Sequence, residues 1–309
     1  MFTAQKKARI VLGTIAVGAV FALAGCATSD PTGSGGSSGS SDKITVGSFN
    51  YPESEILGNI YTLALEDAGY TVDKQFNIGP RQATIPALKD GSINLIPEYN
   101  GNLLFFYDTK SAARTTAEVD AALKDAIPKG YRVLKSSPAE DKDAYVVTQA
   151  EAEKFGLKTV GDLTKIEPFA LGANPQFGEL GYGIPGLKSV YGIKDVTFTP
   201  IEDYGGPDTV KALTDNAVQV ADIYTTSPDL VAKKLLVLDD PKNLIAAQNI
   251  VPLLNSKIYS AKMAKVLDKV SAAMSTKDLI GLRDQVEGAD KVQAATAAKD
   301  WLVKKKLIK

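Results

Sequence analysis

The chain has 309 residues, 44% of them hydrophobic, and its 35 lysines and arginines nearly balance its 36 aspartates and glutamates. It has no histidine, which excludes Ser–His nucleophile pairs and the commonest metal ligand, and its single cysteine excludes an internal disulfide. No basic block stands out, so no nucleic acid partner is expected. The length and the apolar content suit one large globular domain or two lobes.

The amino-terminal stretch has the parts of an export signal. A basic segment precedes an uncharged, mostly apolar run over residues 10–23, which is shorter than the about 20 apolar residues of a membrane span. The next residues end in Leu-Ala-Gly-Cys, which resembles the lipobox of bacterial lipoproteins, where the signal is cut before a cysteine that carries lipid. We therefore predict a signal peptide over residues 1–25, lipid on Cys26 and a flexible Gly/Ser-rich linker over 26–42. An ordinary signal peptide or an uncleaved anchor is the alternative.

The first half of the remaining chain alternates between strand and helix patterns. Strands are predicted over residues 43–50, 70–78, 93–97, 131–134 and 144–148, and helices over 53–68, 85–89, 103–107 and 116–127. This order indicates parallel strands joined by right-handed crossovers, and ligands of such sheets bind at the carboxyl ends of strands. Residues 48–51 and 98–100 occupy such ends, although each could be an ordinary loop.

A second alternation extends to about residue 247 and is followed by a helical tail. Strands are predicted over residues 169–172, 196–199, 218–224 and 235–238, and helices over 150–155, 160–164, 187–191 and 209–214. The tail has apolar residues at helical spacing between residues 263 and 305, and we expect it to cover the first half.

Two motifs that suggest catalysis or cofactor binding are rejected. Residues 181–186 match G-x-G-x-x-G, but Pro185 stands where a helix amino terminus should offer free N–H groups. Glu53, Glu55 and Glu179 could act as catalytic carboxylates, but solvated acids are commoner and no opposing acid is placed at a readable spacing. No metal-ligand cluster is evident. We therefore predict no catalytic residue, no metal and no cofactor.

Five tyrosines lie near predicted loop ends and could surround one ligand: Tyr51, Tyr99, Tyr145, Tyr182 and Tyr224. Several phenol rings around one hole can hold a quaternary ammonium by cation–π attraction, which contributes about 0.5–2 kcal/mol per contact. They can equally stack on an aromatic ligand. Any one of them could instead be half-buried packing.

Residues 43–309 resemble the substrate-binding proteins of ABC importers for glycine betaine, choline and related osmoprotectants. The resemblance rests on Val46-Gly47-Ser48, Glu55-Ile56-Leu57-Gly58, Ala87-Leu88-Lys89-Asp90-Gly91, Pro97-Glu98-Tyr99-Asn100-Gly101, Pro185-Gly186-Leu187 and Asp222-Ile223-Tyr224-Thr225-Thr226. It implies an α/β, two-lobed periplasmic-binding-protein-like (type II) fold with a hinge and a ligand cleft. Lobe 1 would comprise residues 43–147 and 248–309, and lobe 2 residues 148–247. The protein would be a monomer that serves a membrane permease and its ATPase.

The resemblance also implies site residues. Tyr99, Tyr145 and Tyr224 match three tyrosines of the family's aromatic box, whereas Gln248 stands where the family usually has a fourth. Gln82 matches a pocket position, and we add to the predicted ligand-binding set Asn50, Tyr51 and Tyr182.

The glutamines leave the ligand open, because they could bind hydroxyl groups while the tyrosines stack on a ring. A quaternary ammonium osmolyte is expected, and a sugar, a polyol or a phenolic compound is the alternative. A cell-envelope enzyme on the same scaffold and a surface interaction protein with a vestigial cleft are the alternatives to a transport function.

Overall fold

Strand and helix segments alternate to form two five-stranded sheets in the computed structural model, which describes residues 43–309. The predicted signal peptide, Cys26 and the linker lie outside the described residues. The strands are β1 Ile44–Gly47, β2 Val72–Gln75, β3 Leu95–Tyr99, β4 Tyr131–Val133, β5 Tyr145–Thr148, β6 Phe169–Ala173, β7 Val196–Pro200, β8 Val220–Asp222, β9 Leu235–Val237 and β10 Ile250–Asn255. The helices are α1 Pro52–Asp67, α2 Arg81–Asp90, α3 Asn100–Tyr107, α4 Thr116–Ala126, α5 Gln149–Phe155, α6 Ile184–Gly186, α7 Pro207–Thr214, α8 Asp229–Ala232, α9 Ala261–Ala273, α10 Thr276–Glu287 and α11 Ala294–Lys304.

The first sheet has the order β2-β1-β3-β10-β4. Strand β1 pairs in parallel with β2 and β3, which confirms the predicted parallel pairing. Strand β10 runs antiparallel to β3 and β4. It was not predicted as a strand, because a short apolar run such as Ile-Val-Pro-Leu-Leu does not by itself distinguish a buried strand from the start of a helix.

The second sheet has the order β7-β6-β8-β5-β9, with β6 parallel to β7 and β8, and β5 antiparallel to β8 and β9. The chain passes between the two sheets at two places, over residues 134–144 and 238–249. Strand β5 belongs to the second sheet, so the predicted lobe boundary between residues 147 and 148 falls inside this strand. The α/β fold class is confirmed.

The carboxyl-terminal helices complete the core around the first sheet, as predicted. Helices α9, α10 and α11 pack against α1, and Leu267, Leu282 and Leu302 are fully or almost fully buried there. Two further apolar clusters pack around the second sheet. Among the residues described, no helix combines the length and the apolar content that a membrane span requires.

Candidate ligand-binding site

A cavity of about 680 Å³ lies between the two sheets. The residues that line it come from the ends of strands, from the starts of α1 and α2, from the chain segment that passes between the sheets, and from α10. They are Phe49, Asn50, Tyr51, Pro52, Glu53, Pro80, Arg81, Gln82, Tyr99, Asn102, Asp141, Lys142, Asp143, Tyr204, Tyr224, Arg283 and Glu287. Both sheets therefore contribute a wall to one cavity at the carboxyl ends of several strands.

Aromatic rings form much of the first-sheet wall. The ring of Tyr51 stacks on Phe49, with centroids 5.5 Å apart and planes at 7°, and lies 6.5 Å from the ring of Tyr99. Local sequence fixes these positions: Pro52 is the first residue of α1, which leaves Tyr51 in extended backbone before the helix. Tyr99 is likewise the last residue of β3 and precedes α3.

Two tyrosines lie on the second-sheet wall. Tyr224 follows β8 and is half-buried, and Tyr204 follows β7 and is exposed. Burial, together with the charges of Asp143 and Asp222, raises the pKa of the Tyr224 phenol, which therefore stays neutral at physiological pH. Neutral phenol rings from both sheets thus face the cavity.

The cations at the cavity are paired with carboxylates of the same chain. Arg81 donates two hydrogen bonds of 2.8 Å to Glu98, whose side chain is fully buried. Arg283 donates bonds of 2.7 and 3.1 Å to Glu287 and a third of 2.9 Å to the hydroxyl of Thr226.

Several carboxyl groups at the cavity have no cation partner within residues 43–309. Glu53 is 2% exposed; its Oε1 accepts a hydrogen bond from the Tyr99 hydroxyl, and its Oε2 has no hydrogen-bond partner among the described residues. Burial, and then the charge of Asp141, raises the pKa of Glu53 to about 8. Burial also raises the pKa of Asp141 and Asp143, and that of Asp222, which does not line the cavity. No group of three or more potential ligand side chains in the described part of the chain could hold a metal ion.

A family model for the substrate-binding domain of ABC-type glycine betaine transport systems matches residues 42–304. The chain belongs to this family. It is therefore the substrate-binding component of an ABC transporter of the glycine betaine type and not an enzyme.

Individual relatives agree with this membership. The glycine betaine-binding protein YehZ of Escherichia coli is 28% identical over 85% of this chain and 90% of its own length. The carnitine transport binding protein OpuCC of Listeria monocytogenes is 25% identical over 88% of this chain and 89% of its own. A crystal structure of a glycine betaine/carnitine/choline ABC transporter covers 85% of this chain and 99% of that one with a TM-score of 0.78 at 22% identity, which shows the shared fold.

Five of the predicted ligand-binding residues line the cavity of this family member: Asn50, Tyr51, Gln82, Tyr99 and Tyr224. The other three are not among its lining residues. Tyr145 is 1% exposed and donates a 2.6 Å hydrogen bond to the carbonyl of Tyr182, which is half-buried against Phe177. Gln248 is 8% exposed, accepts from the Asn102 backbone at 2.8 Å and donates to its side chain at 3.1 Å. The ligand-binding role of all eight stays a prediction.

Sequence analysis did not select the charged residues of the cavity. Arg81 and Glu98 lie 17 positions apart, and Arg283 arrives from the helical tail, so only the tertiary fold brings them together. One signal was available in Pro97-Glu98-Tyr99. A glutamate next to the end of a buried, otherwise uncharged strand is expected to have a buried cationic partner.

Proposed function

We propose that the chain captures a small quaternary ammonium osmolyte in the cavity between the sheets and delivers it to the membrane permease of an ABC importer. One observation carries the proposal. Tyr51 and Tyr99 from the first sheet and Tyr224 from the second line the same cavity, beside carboxyl groups that form no ion pair within residues 43–309. Phenol faces and carboxylates both attract a permanent cation. The relatives YehZ and OpuCC are a glycine betaine-binding and a carnitine transport binding protein, which supports the same ligand class.

The two sheets with their helices act as two lobes in this proposal. Residues 134–144 and 238–249 form the hinge between them. The ligand stabilises the closed state because only there do Tyr99 and Tyr224 contact it together. The protein acts as a monomer that presents the closed, loaded form to the permease, while a separate ATPase drives transport.

A lipid on Cys26 holds the protein at the outer face of the membrane. Support comes from the basic, apolar and Leu-Ala-Gly-Cys segments at the amino terminus. Cys26→Ser in the full chain, expressed in a bacterial host, should move the protein from the membrane fraction to the soluble extracytoplasmic fraction. A variant that fractionates with the membrane as the wild type does would contradict the lipid anchor.

Isothermal titration calorimetry with glycine betaine, carnitine and choline tests the ligand class. Urea unfolding with and without ligand gives a second readout. At 100 times its dissociation constant, a ligand that binds only the folded state should add about 2.7 kcal/mol to the free energy of unfolding. Tyr224→Ala should abolish the binding. Tyr259→Ala provides the control, because Tyr259 is partly exposed and does not line this cavity. Equal loss in both variants, or no binding by the wild type, would remove the proposed ligand class.

A sugar or polyol is the second candidate. Asn50, Gln82 and Asn102 line the cavity with exposed amide groups that can donate and accept hydrogen bonds. Sucrose and sorbitol in the same calorimeter separate the candidates, because heat from these ligands alone would favour the second.

A further inference from the structure

Every lysine and arginine that lines the cavity within residues 43–309 already has a carboxylate partner of the same chain. The pairs are Arg81 with Glu98, Arg283 with Glu287, and Lys142 with Glu140. Both arginines make two hydrogen bonds to their partner, of 2.8 and 2.8 Å for Arg81 and of 2.7 and 3.1 Å for Arg283. Other N–H groups of each arginine could still donate to a ligand, but the partner carboxylate already balances the positive charge. A ligand carboxylate therefore gains less attraction there than it would from an unpaired cation.

Three carboxyl groups at the cavity, by contrast, have no cationic partner among the described residues. Glu53, Asp141 and Asp143 line the cavity and form no ion pair with any described residue. Glu53 is the most deeply buried of the three, and its Oε2 has no hydrogen-bond partner in the described part of the chain. Its other oxygen is bound to Tyr99, one of the rings that would contact an ammonium head.

These two observations lead to a preference within the ligand class of the proposed function, on which the inference rests. We infer that the cavity selects ligands by net charge and binds a quaternary ammonium cation without a carboxylate more tightly than a zwitterionic betaine. A cation gains an attraction to the acidic neighbours of Glu53 and, once Glu53 has released its proton, to Glu53 itself. A betaine brings a carboxylate that finds no unpaired cation among the described residues and is repelled by the same acids.

Choline and glycine betaine are the appropriate probes, because they share the trimethylammonium head and differ in a hydroxyl against a carboxylate. Calorimetric titration of the wild-type protein should give a dissociation constant for choline at least about tenfold below that for glycine betaine. Glycine betaine bound as tightly as choline, or more tightly, overturns this inference and leaves the proposed function standing. Binding of neither overturns both.

Two variants assign the preference to named residues. Glu53→Gln keeps an oxygen for the Tyr99 hydroxyl and cannot ionise, so in titrations at pH 9, where Glu53 of the wild type is ionised, its choline affinity should be about tenfold lower while betaine affinity changes little. Glu287→Gln removes the carboxylate that binds Arg283 through two hydrogen bonds, so Arg283 becomes available to the carboxylate of a betaine. The ratio of choline to betaine affinity should therefore fall. Glu55→Gln is the matched control, because Glu55 lies on the same helix as Glu53 but outside the cavity, and its ratio should equal the wild-type ratio.

Thermal unfolding of each variant without ligand shows whether the fold is intact. A ratio that stays at the wild-type value in both folded variants, Glu53→Gln and Glu287→Gln, contradicts the inference.

Discussion

The hydroxyl of Tyr99 donates a 2.6 Å hydrogen bond to Oε1 of Glu53, so the end of β3 and the first turn of α1 meet at the cavity wall. Tyr99→Phe keeps the ring and removes the donor, which leaves both oxygens of Glu53 without a partner among the described residues. We expect the free energy of unfolding to fall by about 1–3 kcal/mol, as measured by urea titration, with a smaller loss of ligand affinity than in Tyr99→Ala.

Tyr70→Phe is the control for this substitution. Tyr70 is half-buried outside the cavity and its hydroxyl lies 2.9 Å from that of Ser260. It should lose only about 0.5–1.5 kcal/mol of stability and none of the ligand affinity. Equal stability losses in the two variants would show that the hydrogen bond to Glu53 contributes no more to stability than the hydroxyl of Tyr70 does.

Stability should depend on pH through Glu53. Its pKa is about 8 in the folded protein, against an ordinary value of 4.5, because burial and the charge of Asp141 outweigh the lowering effects of Arg283 and the Tyr99 hydroxyl. Between these two values the folded state keeps a proton that the unfolded state releases. The free energy of unfolding therefore falls as pH rises through this window, by at most about 1.4 kcal/mol per pH unit from this group.

Melting temperatures of wild type and Glu53→Gln at pH 5, 6.5 and 8 check this expectation. The variant cannot release the proton, so its decline over the window should be shallower. Binding of a cation has the opposite trend and should tighten with pH as Glu53 ionises. Parallel melting curves for the two proteins would rule out Glu53 as the titrating group.

The buried pair of Arg81 and Glu98 should be sensitive to loss of its cation. Arg81→Gln leaves a carboxylate with a fully buried side chain beside a neutral amide, and we expect a loss of about 3–5 kcal/mol in urea unfolding. Lys211→Gln removes the cation of an exposed pair with Asp215 and should leave the urea unfolding curve nearly unchanged, because solvent screens the pair. Similar small losses for both pairs would show that Glu98 is hydrated or neutral without Arg81.

The backbone at the start of α3 leaves no room for a side chain at Gly101. A Cβ atom there would lie 2.2 Å from the carbonyl oxygen of Ala247, next to Gln248, which binds the following residue. Gly101→Ala should cost about 1–3 kcal/mol, because the two segments must move apart.

Gly281→Ala gives the matched comparison. Gly281 is exposed in the interior of α10 with nothing within 4 Å of an added Cβ, so alanine should stabilise the protein by about 0.5–1 kcal/mol. Differential scanning calorimetry of the two variants should show shifts of opposite sign. A stable Gly101→Ala protein would contradict the close approach.

The sequence predicted most strongly those elements whose signals are local. The helix predicted over residues 53–68 is α1 Pro52–Asp67, and the one over 116–127 is α4 Thr116–Ala126, because proline at the first turn and a Thr115–Glu118 capping box mark their starts. Helix α2 begins at Arg81, four residues before its predicted start, since residues 81–84 carry little apolar signal. The strand predicted over 218–224 shortens to β8 Val220–Asp222, where pairing with β5 and β6 ends.

The tyrosines of the site can be predicted from the sequence, whereas its charged residues cannot, because tertiary packing brings the charged residues together. Tyrosines at strand ends can be placed because the carboxyl edge of a parallel sheet is known from the strand order. The pairing of Arg283 with Glu287 is local. The hydrogen bond from Arg283 to Thr226, which in turn bonds Asp141, depends on how α10 packs against α1. Burial of Glu53 in the first turn of α1 was also hidden, because a glutamate there is ordinarily solvated.

The second sheet and its helices come from one continuous segment of the chain, and the two ends of that segment are adjacent in space. The backbone N–H of Leu238, just after β9, donates to the carbonyl of Tyr145, the first residue of β5, at 2.9 Å. A single recombination cassette could therefore replace the wall that bears Tyr224 with that of a relative while Tyr51, Glu53 and Tyr99 stay unchanged. Ligand choice in such transporters can thus diversify by exchange of one gene segment rather than by coordinated point changes on both sides.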